Sequence, residues 1–382
     1  MIKKVLVTGG AGFIGSHTVD SLLKLGYQVR IVDNLCAPVH AQPVLPAYIP
    51  SECEFVFGDV TQRDVLEKAL QGVDAVIHLA AYQDYLPYFA QFFHTNTVGT
   101  ALLYEVIIEK RLPIQKVVIA SSQAVYGEAK YLRADGIVQY PKLRAESQLQ
   151  IGQWDLFDHE TGLPLYPVWT DETHVQPHNQ YALSKYTQEL IGLNLGQRYH
   201  IPTVCMRYSI VQGARQSFRN AYSGILRIFT QQLLANQAPL CYEDGQQLRD
   251  YVAVQDVAAA NCLVLADARA DFEVFNVGGN RQVTVLEYAQ LLADRVNRSL
   301  MVRIPGYYRF GDTRHVFSDI QKLNALGWSP MRSLPEIMDD YLNWATHEPD
   351  FGNYSQQAQR EMQALGTLRP SHSQFKLDPI EL

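Results

Sequence analysis

The stretch Val5 to His17, VLVTGGAGFIGSH, constrains this chain more than any other. An apolar run leads into a glycine-rich turn, and the turn opens a helical pattern. Gly10, Gly12 and Gly15 satisfy G-x-G-x-x-G, while Gly9, Gly12 and Gly15 satisfy G-x-x-G-x-x-G. Glycines at such spacing let the turn tighten, let a pyrophosphate approach the backbone and let helix pack closely on strand. The helix start at Phe13, Ile14 and Gly15 offers free N–H groups and the positive dipole end to phosphates. The spacing has force only between a strand and a helix. Val5-Leu6-Val7 before it and the run Ile14 to Leu25 after it supply that context.

Apolar runs then alternate with helical patterns, as a parallel α/β sheet requires. Strands are expected at 29–33, 54–57, 75–79, 116–120 and 203–207, after the first at Val5. Helices are expected at 13–24, 63–70, 98–110 and 182–199. The order predicts an α/β fold: a doubly wound parallel sheet, Rossmann-like, with a smaller mixed α/β domain. Residues 1–207, with about 248–270, form the expected dinucleotide-binding domain. An excursion at about 129–176, rich in Tyr, Pro, Gln and Trp, interrupts it beside the ends of the strands. Residues 208–247 and 271–348 form the expected substrate domain. The polar, Gln-rich stretch 349–382 reads as a loosely held tail, or as one that wraps a partner subunit.

The 382 residues are 47% apolar and 19% charged, and the net charge is −7. That is the composition of a soluble globular enzyme, and it gives no general affinity for nucleic acid. No run approaches the roughly 18 apolar residues of a membrane span. The chain enters a strand at once, which predicts no signal peptide. Five scattered cysteines, Cys36, Cys53, Cys205, Cys241 and Cys262, read as free thiols in a reducing compartment, hence the cytoplasm.

Asp33 ends the second strand about 20 residues past the turn. A carboxylate there accepts hydrogen bonds from the adenosine ribose and repels a 2′-phosphate, which favours NAD over NADP. Asn34 follows it, in a pair that also suits a plain turn. Asp59-Val60 follow the third strand, where they could hold the adenine edge or cap the next helix. Leu79-Ala80-Ala81 are small and apolar after the fourth strand, as a backbone passing close to a cofactor requires. His78 reads as a packed strand residue. Two tyrosines have a lysine four residues on, Tyr126…Lys130 and Tyr181…Lys185. Gly127 weakens a helix at the first pair, whereas Tyr181 opens a good helical pattern, so Tyr181 and Lys185 share one helical face. A neighbouring ammonium would lower the phenol pKa and make Tyr181 a candidate general base. Lys185 could also hold the nicotinamide ribose. Ser121-Ser122 end the fifth strand, at the edge where such sheets bind ligands. A hydroxyl there could hold the substrate oxygen or cap the next turn.

Together, Thr8–His17, His78–Ala81, Ser122-Gln123-Ala124-Val125-Tyr126-Gly127, Tyr181…Lys185, Arg249-Asp250-Tyr251-Val252 and Phe275-Asn276-Val277-Gly278 resemble the extended short-chain dehydrogenase/reductase superfamily. Within it, the chain is most similar to nucleotide-sugar epimerases and dehydratases, including UDP-glucose 4-epimerase. The resemblance runs in order over residues 1–345. It implies a bound NAD, a catalytic Ser122, Tyr181 and Lys185, and an Asn96 that supports the active-site helix beside the cofactor. It also implies contacts from Gln123, Asn220, Arg249 and Arg309 to the nucleotide-diphosphate sugar. It further implies a homodimer formed through the helices expected at 98–110 and 182–199.

The departures narrow the chemistry. Related 4,6-dehydratases carry Asp-Glu where this chain has Gln123 and Ala124, and decarboxylases carry Glu at the second position. Neither Gln nor Ala can shuttle the proton of an elimination, which leaves epimerisation, most simply at C4. Ile210 stands where UDP-galactose epimerases place a substrate-contacting Asn. The stretch from Gly213 to Gly224, with the excursion, resembles dTDP-L-rhamnose 4-epimerases. Some of the proteins it resembles carry cysteine pairs in that excursion. This chain has no cysteine between Cys53 and Cys205, so no metal is expected. Two alternatives stay open: a nucleotide-sugar oxidoreductase such as a 4-keto reductase, against which Asp33 argues, and a non-catalytic NAD sensor, against which the Tyr181/Lys185 pair argues.

Overall fold

The computed structural model describes residues 2–221, 224–298, 301–348, 351–372 and 380–381. Seven strands make the central sheet: β1 Lys4–Thr8, β2 Gln28–Asp33, β3 Glu54–Phe57, β4 Ala75–His78, β5 Lys116–Ser122, β6 Thr203–Tyr208 and β7 Val274–Val277. Their order is β7-β6-β5-β4-β1-β2-β3, all parallel. The order reverses between β1 and β4, so a crevice opens at the carboxyl ends of those two strands. Both faces are covered, and the strand side chains alternate between them. Val5 and Val7 pack with Ile31, Ile77 and Val204 on one face, while Leu6 packs with Val32, Val76 and Val117 on the other.

Among the described residues, nine α-helices have eight or more residues: α1 Phe13–Lys24, α2 Arg63–Leu70, α3 Gly99–Glu109, α4 Gln180–Tyr199, α5 Ile225–Leu234, α6 Val254–Ala266, α7 Val285–Arg295, α8 Leu334–His347 and α9 Ser355–Ala364. Asn179 caps α4, its Oδ1 accepting from Ala182 N at 2.9 Å. A π-helical turn, Phe93–Val98, leads into α3. The second lobe gathers around α5, α7 and α8, with Phe229, Tyr288, Leu292, Ile337 and Tyr341 in its core. Thr284 and Ser333 begin α7 and α8 with full capping boxes.

Three segments differ from the sequence expectation. Val274–Val277 lies in the main sheet beside β6, although it falls in the stretch assigned to the substrate domain. Four residues including a buried Asn276 carry no readable alternation. The excursion has its own small sheet, Tyr131–Leu132 between Val138–Gln139 and Tyr166–Pro167. The tail is not loosely held through residue 372. Helix α9 buries Ala358 and Met362, and Leu368–Pro370 pairs antiparallel with Tyr307–Arg309. Its few apolar residues fall on one helical face and were masked by glutamines. Among the described residues, no helix is long and apolar enough to cross a membrane.

Candidate active site

The glycine turn is as tight as its sequence requires. Gly9 takes φ +66°, and its N–H donates to Val32 O at 2.8 Å. A Cβ on Gly15 would lie 2.1 Å from Gly9 O, so the turn closes only with hydrogen there. Helix α1 starts at Gly12 with no side-chain cap and no acidic residue in its first turn. Its N–H groups therefore face the crevice, an arrangement suited to a pyrophosphate. The carboxylate of Asp33 is pinned at the end of β2, accepting from Ala11 N at 3.1 Å and Leu35 N at 2.9 Å. Asn34 donates to Asp59 at 2.7 Å, and Asp59 also accepts from the N–H and hydroxyl of Thr61. Burial opposes ionisation of Asp59, but the Thr61 and Asn34 hydrogen bonds outweigh it and hold the carboxyl below its ordinary range. Leu79, Ala80 and Ala81 pass close to the turn, where a Cβ on Gly9 would meet Ala80 N at 2.8 Å. His78 is a packed strand residue. Its ring bonds Thr8 at 2.8 Å and Thr100 at 3.0 Å, and burial keeps it neutral, with its pKa down to about 3.

At the carboxyl end of β5, Ser122 does two things. Its Oγ accepts from Ala124 N at 3.1 Å, capping a short 3₁₀ turn, and its hydroxyl lies close enough to the Tyr181 phenol to favour ionisation there. Ser121 is committed elsewhere, to Glu189. Lys185 is 2% exposed and donates to Ala120 O at 2.6 Å and Gln188 Oε1 at 2.9 Å. This corrects one expectation. Lys185 does not lower the Tyr181 pKa. Burial pushes the phenol up to about 12, with Ser122 opposing, and burial pulls Lys185 down to about 7. The i, i+4 spacing places the two residues on one face, but the lysine nitrogen turns to the sheet carbonyl. The rival pair falls apart: Tyr126 bonds Asn276 at 2.5 Å, and Lys130 bonds Asp171 at 2.5 Å.

Asn96 is fully buried and is not among the residues walling the cavity. The π-turn carries it instead between two active-site segments. It accepts from Tyr82 N at 2.7 Å and donates to Ser184 in α4 at 2.9 Å. It thus ties the helix that carries Tyr181 to the loop at Tyr82.

Gly9, Gly12, Phe13, Ile14, Gly15, Asp33, Asn34, Asp59, Val60, Leu79, Ala80, Ala81, Ser122, Gln123, Tyr181, Lys185, Asn220, Arg249 and Arg309 all wall one cavity of about 860 Å³. It runs from the glycine turn, past Tyr181, into the second lobe. Arg249 is oriented by the carbonyls of Leu248, Thr313 and Arg314. The Arg309 guanidinium lies 3.8 Å over the Tyr85 ring and 5.2 Å from that of Tyr242. Gln123, Gln216, Asn220 and Gln247 each bury a side-chain oxygen with no partner among the described residues, and all four line this cavity. Buried acceptors without partners are costly unless a ligand or water meets them. Sequence reasoning missed the loop Tyr82–Tyr85, Tyr242, His40 and the tail as cavity walls. No local pattern marks them, because they arrive from separate loops.

The excursion is tied to this site by charge. Arg144, fully buried, donates to Glu128 at 3.1 Å and forks onto Glu243 at 2.9 and 3.0 Å. Arg314 reaches Glu243 at 3.2 Å and Asp244 at 2.6 Å. Among the described residues, no group of three or more His, Cys, Asp or Glu side chains is placed to hold a metal ion.

This fold and cavity define a dinucleotide-binding enzyme of the short-chain dehydrogenase type. The model of the NAD dependent epimerase/dehydratase family matches residues 5–145 and 159–278, and the chain belongs to that family. It is 31% identical over 357 residues to a dTDP-L-rhamnose 4-epimerase of Burkholderia thailandensis, covering 92% of this chain and 97% of the relative. It is 33% identical to a putative UDP-glucose 4-epimerase of Methanocaldococcus jannaschii, covering 89% and 97%. Among solved structures, the UDP-glucose 4-epimerase of Thermotoga maritima with UDP-glucose superposes with a TM-score of 0.70 at 28% identity, covering 89% of this chain and 98% of that one. The UDP-glucuronic acid 4-epimerase of Bacillus cereus, with UDP-glucuronic acid and NAD, gives 0.71 at 25% identity with the same coverage. The uncapped α1 terminus, the glycine cradle and Asp33 fit NAD.

Proposed function

We propose that the protein is an NAD-dependent nucleotide-sugar 4-epimerase, acting on a dTDP-L-rhamnose-like or UDP-linked sugar. The observation that carries this reading is the position of Ser122 and Tyr181 where the two halves of one cavity meet, next to Gln123 and Ala124, which cannot run an elimination. NAD, when bound, supplies a reversible acceptor for the hydride at sugar C4. Tyr181, as the phenolate that a cationic cofactor beside it would favour over the buried phenol, takes the proton of the 4-hydroxyl, and Ser122 hydrogen-bonds that oxygen as it becomes a carbonyl. Lys185 and Asn96 fix the helix that carries Tyr181. Arg249, Arg309 and Asn220 hold the diphosphate, leaving the keto sugar free to turn its other face before it is reduced.

The relatives named above act on different sugars, so the sugar itself needs a direct test. Purified protein, with no NAD added, is incubated with UDP-, dTDP- and GDP-sugars and followed by NMR. Interconversion of one C4 epimer pair is expected. Silence across the panel that persists after NAD addition would refute the reading, and steady NADH consumption with a keto sugar would replace it by a reductase. The expected assembly is a homodimer through the outer faces of α3 and α4, where Val98 just before α3 and Leu183 and Leu190 of α4 are exposed, and the expected compartment is the cytoplasm. Light scattering giving a monomeric mass would overturn the dimer.

A further inference from the structure

We propose that Tyr85 is a further substrate-binding residue: its ring seats the Arg309 guanidinium, and its hydroxyl meets the sugar beside Tyr181. The proposal rests on the nucleotide-sugar reading above and deepens it by a residue that no sequence motif marks. Tyr85 lies in the loop that leaves the carboxyl end of β4, and that loop is pinned along its length. Tyr82 N donates to Asn96 at 2.7 Å, and the Asn96 amide donates back to Tyr82 O at 3.1 Å. Asp84 accepts from Leu86 N at 2.7 Å and from the Tyr82 hydroxyl. From the second lobe, the Asn220 amide donates to Gln83 O at 3.4 Å. Tyr85 therefore enters the cavity from a backbone held by both lobes.

The two ends of the side chain face different partners. The Arg309 guanidinium carbon lies 3.8 Å from the ring centroid, and its Nε donates to Asp312 at 2.7 Å. A cation over a ring face is attracted to it, so the ring is a floor for the guanidinium while Asp312 holds its edge. The Tyr85 oxygen lies within charge reach of Arg249 and of the Tyr181 phenol, where it adds to the larger effect of burial. Tyr85 thus stands between Tyr181 and the two arginines. With the 4-hydroxyl at Tyr181 and the diphosphate at Arg249 and Arg309, the sugar ring must pass alongside it. Its hydroxyl makes no hydrogen bond among the described residues and is not closed off from the cavity. Arg309 favours the Tyr85 phenolate, but Asp312 and burial outweigh it, so the phenol sits above its ordinary range and stays neutral at neutral pH. A neutral phenol can both donate and accept. That suits a sugar that turns over in the site and presents first one edge and then the other to the same wall.

Two variants of the full-length protein separate the ring from the hydroxyl. Calorimetry with UDP and dTDP reads the diphosphate grip, kcat and KM on the active sugar nucleotide read the sugar contact, and retained NAD reads the other half of the cavity. Tyr85→Phe keeps the ring. It should leave UDP and dTDP affinity within about twofold and lower kcat/KM about three- to tenfold, the loss of one hydrogen bond. Tyr85→Leu removes the ring as well, and should also weaken both diphosphates about three- to thirtyfold. Retained NAD should be unchanged in both. Unchanged kcat/KM in Tyr85→Phe would overturn the proposal. So would an equal loss of diphosphate affinity in the two variants, or a loss of NAD in both, which a general disturbance of the loop would produce. Tyr85→Phe decides alone if Tyr85→Leu does not fold. If the unaltered protein binds neither UDP nor dTDP, the nucleotide-sugar reading fails first, which separates the two failures.

Discussion

Arg144 offers the sharpest test of how the excursion is held. Its guanidinium makes five hydrogen bonds: to Glu128 at 3.1 Å, to Glu243 at 3.0 and 2.9 Å, to Trp154 O at 3.0 Å and to Asp312 O at 2.8 Å. The pair with Glu128 is shielded completely, with both side chains 0% exposed. Replacing Arg144 by Ala strands a buried carboxylate and opens a void, a change that costs about 3–5 kcal/mol in comparable buried pairs. Arg314 remains to hold Glu243, which argues for the lower end. Glu128 supplies a pH signature. Burial raises its carboxyl pKa, with Arg144 as the main opposing charge. A carboxyl raised in the folded state holds its proton more tightly there than in the unfolded chain. The stability it lends is therefore present below the unfolded pKa and lost as pH rises through the folded one. Without Arg144 the folded value climbs further, so the penalty should be larger at about pH 8 than at about pH 5. Urea unfolding of both proteins at both pH values measures this. A difference below about 1 kcal/mol, or one independent of pH, would refute the argument that this pair is desolvated and mutually dependent.

Two further outcomes follow from the site. Gly15→Ala should lower NAD affinity by at least about tenfold while the sheet stays folded, because the new methyl would sit 2.1 Å from Gly9 O. Retained NAD measured after purification checks this, and an unchanged content would mean the turn can open freely. Tyr181→Phe should cut kcat by about 10²–10⁴ and leave NAD and nucleotide binding near normal. The same residue should be a silent phenol in cofactor-stripped protein, since burial holds its pKa up at about 12. A phenolate absorbance near neutral pH, lost in Tyr181→Phe, would contradict that setting.

What is legible in the sequence is what lies close along the chain. The glycine turn, the strand ends at Asp33 and Ser122, and the helix bearing Tyr181 and Lys185 are all short-range patterns, and the structure forms each of those elements. The direction of the Lys185 amine is different in kind. It depends on Ala120 O and Gln188 and on complete burial, none of which a four-residue spacing reports. Arg144 finds Glu243 across 99 residues, and no rule of local composition predicts such a pair. Even the partner is unusual, since Glu243 adopts φ +52°, a region that disfavours a side chain. The two buried arginines keep it there.

The same distinction explains why the tail misleads. A segment rich in glutamine, with few apolar residues, cannot bury enough surface to order itself. Here it borrows a surface already made. Ala358 and Met362 settle on a lobe whose core stands without them, and Leu368–Pro370 completes the edge of the Tyr307–Arg309 strand. Little hydrophobic area is then needed, because the neighbouring strand and α5 supply most of the hydrogen-bond partners and fix the path of the chain. A segment held this way contributes little to the stability of the sheet. It can therefore vary its cavity-facing side chains at small structural cost while Ser122, Tyr181 and Lys185 stay fixed.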